Sequence, residues 1–521
     1  MTSWMNLGQM LKLHAAKYAT APCLLDEARS YTFQESNDRV CRLANGLLAM
    51  GLKKGDTISV LLENCIEFVE IYLAAAKAGL VVNPINFRLT GDDVLYIVKH
   101  ASAKAFVVHD EFCGLVDSVR CRLDIQPGRF IAVGAPRDGY LGYEALLDRG
   151  HPGEPAVQVS PRDTWILLYT SGTTGRPKGV IRSHESYVAF YLINAIDFDF
   201  RPGDRVLNAM PLCHVNSTFF TFTFTYIGGA AYIHPARRFE ARQILNIIER
   251  QRINFISLIP THYSLLLSVP ESERAGCDVS CLKKLLCSSA PARVEQKKAI
   301  MKAFPGVLLY EGYGSTEAGI VTVLYPHEQL QKPGSIGRES LGTDFIRILD
   351  ENKNPVPPGQ IGELYSRGPM MFDAYYKEPE KTAQSFAGEY FSAGDMGFQD
   401  EDGFYHLIDR KNNMIITGGE HVFPSEVEGA LCAHHTVFDA AVIGVPDPKW
   451  GEAVLAVVIL KQESTCTEEE LLDFCRDKMA GYKRPKSIAF ISPEEMPRTT
   501  SGKILHRVLR DRWGKGAGER S

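Results

Sequence analysis

The sequence predicts an α/β protein: a large N-terminal domain of layered sheets and helices, a β-rich stretch within it, and a small α+β C-terminal domain. Three observations carry that prediction. From residue 31, amphipathic helical patterns alternate with short β-branched runs, a texture that places parallel strands between covering helices. After about residue 330 the pattern becomes Gly-punctuated and β-like, as in FIRILDENKNPVPPGQIGELYSRGP. Beyond residue 412 helix and strand mix again. The 521-residue length suits roughly three folding units at about 150 residues each.

In chain order, SNDRVCRLANGLLAMGL reads as a helix, DTISVLLE as a strand, CIEFVEIYLAAAKAGL as a helix and VVNPIN as a strand. The same alternation recurs in KAFVVHD, RFIAVG, DRVLNAM, AAYIHP, QILNIIERQRINFISLIP and KKLLCSS, without a repeat of fixed period. Residues 1–411 are therefore expected to form the N-terminal domain, with its β-rich part at about 331–411. Residues 412–521 are expected to form the C-terminal domain, with helices at SEVEGALCAH and TEEELLDFCRDKM and strands at DAAVIGVP and AVLAVVIL. The tail after Arg510, DRWGKGAGERS, is polar and Gly-rich and is expected to be disordered.

With 45% hydrophobic and 23% charged residues and a net charge of −5, the chain reads as globular and offers no electrostatic footprint for nucleic acid. Its 12 cysteines sit partly inside apolar runs such as LLENCIEF and LDFCRDKM, which suits reduced core residues rather than a disulfide framework. Cys277, Cys281 and Cys287 contain no C-x-x-C pair for zinc. The N-terminus has no apolar h-region followed by a small-residue cleavage site, so a cytoplasmic location is expected. Val206 through Ala236 carries no Asp, Glu, Lys or Arg. Pro211, His214, Asn216, Gly228, Gly229 and several threonines make it a poor membrane span and a good buried segment near a site.

Residues 169–180, YTSGTTGRPKGV, gather hydroxyls, glycines and one lysine. In a Walker A loop the lysine and Ser/Thr follow the second glycine directly. Here Arg176 and Pro177 follow Gly175, and Gly179 follows Lys178, so the spacing rules that loop out. The physical content survives, because small residues admit backbone N–H groups to an anion and lysine supplies charge. Four further clusters follow: YGSTE at 313–317; Asp395 in YFSAGDMG; Asp409 and Arg410 in YHLIDRKNN; and RTTSGK, ending at Lys503.

Together and in this order, the clusters resemble the ATP-dependent adenylate-forming superfamily of acyl-CoA synthetases, aryl-CoA ligases, luciferases and peptide-synthetase adenylation domains. The texture is most similar to the fatty acyl-CoA synthetase branch, and the resemblance runs from YTFQE and PINFRL to SGKILHRVLR. It implies the adenylate-forming enzyme fold with a mobile C-terminal domain, and ATP, CoA and Mg²⁺ as cofactors. Thr170, Ser171, Gly172, Thr173, Thr174, Gly175 and Lys178 would cradle the β and γ phosphates. Tyr313, Gly314 and Ser315 would shape the next nucleotide-binding turn, in which Thr316 bonds the α-phosphate and Glu317 holds Mg²⁺. Asp395 would accept the ribose hydroxyls, with Arg410 nearby. Ser289, Ala290 and Pro291 stand where the family has G-G-A-P or S-G-A-P against adenine. Lys503 would bridge the carboxylate and α-phosphate oxygens. With Lys178, Thr316, Glu317 and His214 it completes the implied catalytic set. The C-terminal domain would rotate about Asn412, where the family commonly has Asp or Lys, bringing Gly418, Gly419 and Glu420 toward the CoA pantetheine.

His214 in MPLCHVNS matches the family's gate near the acyl carboxylate, and the following TFFTFTFTY would line the acyl side through Phe219, Phe220 and Phe222. Local propensity there favours a strand, whereas the resemblance implies a helix, and the helix is expected. The phenylalanines and the lack of charge favour an apolar acyl group, hence a medium- or long-chain fatty acid. Arg237 and Arg238 offer a second-carboxylate partner or a surface cap. A carnitine- or crotonobetaine-type acid or a small aryl acid is the alternative, because related ligases share these textures. A carrier-loading adenylation enzyme is disfavoured because no carrier segment follows Lys503, and a luciferase-like oxygenase is a rare branch. A catalytically dead nucleotide sensor is disfavoured because Lys503 and Glu317 are both present. The expected partners are a small-molecule carboxylic acid, ATP and CoA, with no transmembrane segment; a homodimer is compatible with the sequence.

Overall fold

Several helices begin where a side chain satisfies the first free amides. Thr32 with Glu35, Thr90 with Asp93 and Thr467 with Glu470 each form a reciprocal capping box, opening Phe33–Ala49, Gly91–His100 and Glu468–Arg476. The structure, a computed structural model, describes residues 6–170, 176–235, 239–290, 292–498 and 504–514. The chain divides into two units, Met1–Phe345 with Ser366–Glu389, and Ile346–Tyr365 with Tyr390–Ser521.

The first unit holds two large sheets. One is nine-stranded, with Phe255–Leu258 at its centre flanked by Lys284–Ser288 and Arg205–Asn208; its neighbours along these strands are parallel. The other is eight-stranded, built on the parallel strands Thr57–Leu61, Val81–Pro84 and Ala105–His109 and completed on one side by the antiparallel hairpin Thr164–Thr170 and Lys178–Ser183. These are the strands read from DTISVLLE, VVNPIN, KAFVVHD, DRVLNAM and KKLLCSS, because β-branched runs of four to eight residues between helical patterns have little alternative in a layered α/β protein.

Helix Ile66–Ala78 is buried at every position, which explains its nearly unbroken apolar sequence. Its Tyr72 links the layers: the Tyr72 carbonyl accepts from Trp165 Nε1 at 2.8 Å, and Tyr72 Oη donates to the Leu212 carbonyl at 3.0 Å. Buried Asn64 adds a second tie, donating to the carbonyls of Met210 and His234 at 2.9 and 3.0 Å and accepting from the Leu212 amide at 2.7 Å.

The segment containing TFFTFTFTY is helix Val215–Ile227, buried continuously from Ser217 to Tyr226. Two of its threonines are absorbed by back-bonding: Thr218 donates to Val215 O at 2.9 Å and Thr223 to Phe219 O at 2.6 Å. Surrounding rings then fill its all-round apolar face. Phe222 meets Tyr72 and Trp165 at centroid distances of 5.3 and 5.2 Å, and Phe219 stacks on Phe190 at 3.6 Å.

The second unit contains a four-stranded sheet, Arg347–Leu349, Gly362–Tyr365, Asp395–Gln399 and Tyr405–Arg410, and a sheet centred on the long hairpin Val437–Asp447 and Gly451–Leu460. Helices Pro424–Cys432 and Glu468–Arg476 cover the second sheet. The expectation of disorder beyond Arg510 is corrected over its first residues, since helix His506–Trp513 continues past that point. Trp513 packs against the core with buried Leu509, and Arg512 pairs with Glu495 at 3.0 Å; these side chains outweigh the local polarity. All 12 cysteines are free, and among the described residues no helix is long and apolar enough to cross a membrane.

Candidate active site

The hairpin Thr164–Thr170 to Lys178–Ser183 carries the glycine-rich run at its tip, with Thr170 opposite Lys178 in register. Ser171, Gly172, Thr173, Thr174 and Gly175 lie outside the described residues, as do Pro291, Arg237, Arg238 and Lys503. A second hairpin, Leu308–Ser315 to Gly319–Leu324, carries Thr316 and Glu317 in its turn. Gly314 is required there: a Cβ on it would lie 1.9 Å from the Gly319 carbonyl oxygen, so no side chain fits. Ser315 Oγ closes the turn by accepting from the Ala318 amide at 3.0 Å.

The two hairpins meet at three side chains. Lys178 Nζ lies 3.3 Å from Glu317 Oε1 and 2.6 Å from Tyr375 Oη, and Tyr375 Oη donates to the same carboxylate oxygen at 2.9 Å. Glu317 is only 6% exposed. The Lys178 ammonium and the Tyr375 phenol replace part of the water this side chain loses on burial. Lys178 also sits 4.0 Å above the Tyr375 ring centroid. A cation and a nearly buried carboxylate thus meet at a phenol, with Thr170 paired to Lys178 in register and Thr316 adjacent to Glu317 in its turn. This is chemistry for holding polyphosphate.

At the carboxyl end of Lys284–Ser288, Ser289 adopts φ 69°, a left-handed conformation unusual for serine, and Ala290 follows it. His214 caps helix Val215–Ile227. Two residues on, Asn216 Nδ2 donates to Ser257 Oγ at 3.0 Å and Ser288 Oγ at 2.7 Å. Phe219, Phe220 and Phe222 are all buried among other rings. Asn216, Ser257 and Ser288 form a polar group whose only sequence signal was the position of Asn216 two residues after His214.

Within the second unit, Asp395 and Arg410 are cross-strand partners, with Arg410 Nε 3.1 Å from Asp395 Oδ1. Asp409 organises the following residues by accepting from the Ser425 amide at 2.9 Å and Asn413 Nδ2 at 3.1 Å. Asn412 lies in the short 3₁₀ turn Lys411–Asn413, and its carbonyl accepts from Arg510 Nη1 at 2.7 Å. Gly418 and Gly419 have φ of 60° and 86° and form a two-residue hairpin turn between Ile415–Thr417 and Glu420–Val422. Two successive positive φ values demand such residues.

Residues 11–376 match the AMP-binding enzyme family, and residues 426–503 match the AMP-binding enzyme C-terminal domain. The chain belongs to the AMP-binding enzyme family. Among similar proteins, a feruloyl-CoA synthase of Amycolatopsis is 35% identical over 93% of this chain and 94% of its own. A long-chain-fatty-acid–CoA ligase of Mycobacterium tuberculosis is 31% identical over 98% of both. Among solved structures, ATP-bound MatB from Rhodopseudomonas palustris superposes with a TM-score of 0.87 at 28% identity, covering 98% of this chain and 99% of that one. With this membership comes the reaction class: ATP-dependent, AMP-forming ligation of a carboxylic acid to CoA.

For an AMP-binding enzyme, Tyr375 and Arg182 are the side chains the motifs did not announce. Tyr375 reaches Glu317 because Ala374–Tyr375 pairs antiparallel with Lys178–Ser183. Nothing in the local sequence ties residue 375 to residue 178. Arg182 sat inside the apolar GVIRSH run; an arginine at a strand position whose neighbours are core residues was the available signal.

Proposed function

We propose that the protein adenylates an apolar carboxylic acid, in the first instance a medium- or long-chain fatty acid, and passes the acyl group to CoA. The observation that carries the reading is the Lys178–Glu317–Tyr375 cluster at the YGSTE turn, together with the charge-free aromatic helix Val215–Ile227. In the first step a carboxylate oxygen attacks the α-phosphorus, the new P–O bond forms, the α–β bridge breaks and pyrophosphate leaves. In the second, the CoA sulfur attacks the acyl carbon and AMP departs with the former carboxylate oxygen. Both steps bring anions together, so cations and hydrogen-bond donors aimed at the phosphates supply most of the acceleration.

Lys178 and Thr170 are proposed to hold the leaving pyrophosphate together with Ser171, Gly172, Thr173, Thr174 and Gly175. Thr316, in the turn shaped by Tyr313, Gly314 and Ser315, bonds the α-phosphate. Ser289, Ala290 and Pro291 face adenine, Asp395 and Arg410 the ribose, and Gly418, Gly419 and Glu420 the CoA. Lys503 is assigned the adenylation step, His214 the acyl carboxylate, and Asn412 the hinge between the domains 1–411 and 412–521. One nearly buried carboxylate suits Mg²⁺, which takes one or two carboxylates plus substrate phosphates and would neutralise phosphate charge when held by Glu317. A cytoplasmic setting completes the proposal, and a homodimer is compatible with it.

A second reading, a small aryl or carnitine-type acid, draws on one observation. Phe219, Phe220 and Phe222 are engaged by core rings, and the neighbouring Asn216–Ser257–Ser288 group offers polar contacts suited to a compact, substituted acid. A pyrophosphate-release screen over short, medium, long, aromatic and betaine-type acids, with and without CoA, tests both. Absence of carboxylate-dependent release would overturn the ligase reading. Release best supported by aryl acids would replace the fatty-acid reading with the second, and release without CoA-dependent AMP formation would favour a carrier-loading enzyme.

A further inference from the structure

Arg182 is 0% exposed, yet its hydrogen bonds go to main-chain carbonyls: Nη1 donates to Thr316 O at 2.8 Å and Nη2 to Met370 O at 2.5 Å. Nε approaches Ser186 Oγ at 3.4 Å, and the guanidinium lies over the rings of Tyr187 and Phe219 at 4.8 and 5.3 Å. Burying a cation carries a heavy desolvation penalty, and an apolar side chain of similar volume often packs as well or better. Packing alone therefore does not account for an arginine here.

Its partners supply the account. Lys178 and Arg182 are four residues apart on one strand, so both project from the same face. From that face Lys178 reaches the Glu317 side chain and Arg182 reaches the preceding carbonyl. Because a peptide group is planar, fixing Thr316 O also fixes the direction of the Glu317 amide and constrains where the Thr316 hydroxyl and Glu317 carboxylate start. The second donation, to Met370 O, ties this turn to the segment leading to Tyr375, which donates to the Glu317 carboxylate, and joins the bond from the Phe372 amide to the Glu317 carbonyl in doing so. The planar guanidinium holds its donors at fixed directions, so it sets the two carbonyls relative to each other as a freely rotating ammonium does not.

We propose that Arg182 is a positioning residue for adenylation: its guanidinium sets the Thr316–Glu317 turn in register with Lys178 and Tyr375, without itself touching the nucleotide. The inference rests on the reading above only in taking that turn as the place where Mg·ATP is held.

The test uses the full-length protein with Arg182→Met and Arg182→Lys. Three quantities are read: thermal unfolding, titration with α,β-methylene-ATP in MgCl₂, and single-turnover rates of the two half-reactions with whichever acid supports pyrophosphate release. Arg182→Met is expected to keep a cooperative unfolding transition near that of the unmodified protein. It should form acyl-AMP about 10²-fold more slowly, the scale on which a misplacement of about 1 Å acts, while converting supplied acyl-AMP to thioester within about threefold. It should bind the ATP analogue about tenfold more weakly and need more Mg²⁺ for half-maximal rate, as expected when one hydrogen-bonded partner is displaced. Arg182→Lys, with the charge but not the fork, should recover only part of the adenylation rate. Equal losses in both half-reactions, or adenylation by Arg182→Met within threefold of normal, would overturn the proposal. Should Arg182→Met not fold, Arg182→Lys decides: a folded variant with tenfold or greater loss confined to adenylation supports the proposal, and unimpaired adenylation refutes it. If no acid is activated even by the unmodified protein, the function reading fails, and analogue binding alone judges Arg182, with equal affinity in Arg182→Met counting against it.

Discussion

At the scale of single residues, the cluster around Glu317 divides its work between charge and orientation. Lys178→Ala removes a cation from the site proposed to hold the phosphates, so adenylation should fall by about 10²–10³-fold, the range seen when one preorganised donor is lost. Tyr375→Phe removes the neutral hydroxyl that bonds Glu317 and Lys178 while leaving the ring and both charges, and a loss of about tenfold is expected. Stopped-flow pyrophosphate release on both variants checks the order; a larger effect for Tyr375→Phe than for Lys178→Ala would reverse the assignment. A second residue-scale prediction concerns acid stability. His184 is fully buried, its ring nitrogens find no hydrogen-bond partner among the described residues, and burial lowers its pKa from 6.5 to about 4. Between those two values the unfolded chain binds a proton that the folded chain refuses. Stability should therefore decline as pH falls below about 6.5 and stop declining, for this group, below about 4, by roughly 3 kcal/mol at most. His184→Phe, which can still stack on Trp165, should show a smaller drop in unfolding midpoint between pH 7.5 and pH 5; an unchanged drop would show that other groups set the acid limit. Lys178, Thr316 and Glu317 were legible in the sequence because each sits in a short run dense with unusual residue types. Arg182, Tyr375 and Ser257 were not, because their roles arise from strand pairing and packing between residues far apart in the chain, and each looks ordinary among its neighbours.

At the scale of elements, periodicity served well where burial is one-sided or complete and the strand or helix is long. The strands at Thr57–Leu61, Ala105–His109 and Phe255–Leu258, and the helix Phe33–Ala49, follow directly from their patterns. Helix Val215–Ile227 shows where local reading stops: its Thr/Phe alternation has a period of two, and the helix exists because rings surround it and the Thr218 and Thr223 hydroxyls bond back to its own carbonyls. The C-terminal helix is a similar case, since Arg510 and Trp513 give a polar tail a tertiary reason to order. That helix also makes a prediction. Arg510 donates to the carbonyls of Asn412 at 2.7 Å and Asn413 at 2.5 Å, clamping the backbone of the proposed hinge. Arg510→Ala should leave the intrinsic chemistry of each half-reaction intact while changing how the hinge populates its states, so the ratio of adenylation to thioester rates should shift by about five- to tenfold in one direction. Single-turnover rates measured for both steps check this, and an unchanged ratio would remove the clamp from the hinge argument.

At the scale of the whole molecule, the sequence order of the clusters carried more information than any cluster alone. A glycine-rich run, a YGSTE turn, an aspartate beside glycine, an Asp-Arg pair and a late Ser-Gly-Lys are each common; their succession along 521 residues is what points to adenylate formation. What that succession leaves open is the acid, because the acyl side is lined by packing rather than by motif, and packing is a property of the folded chain. The division of labour along the chain yields the last prediction. If Lys503 supplies charge only while the carboxylate attacks phosphorus, its loss should be confined to that step. Lys503→Ala should slow acyl-AMP formation by about 10²–10³-fold, yet convert supplied acyl-AMP and CoA to thioester within about threefold of the normal rate. Glu317→Gln provides the contrast: altering a carboxylate proposed to meet Mg²⁺ and the triphosphate should likewise spare the thioester step, in which no triphosphate is present, but its defect should ease as MgCl₂ is raised, whereas that of Lys503→Ala should not. The two variants therefore separate by their Mg²⁺ response under single-turnover conditions. Equal loss of both half-reactions in Lys503→Ala would instead mean that one constellation of residues serves the whole reaction, and the proposed alternation about Asn412 would have to be abandoned.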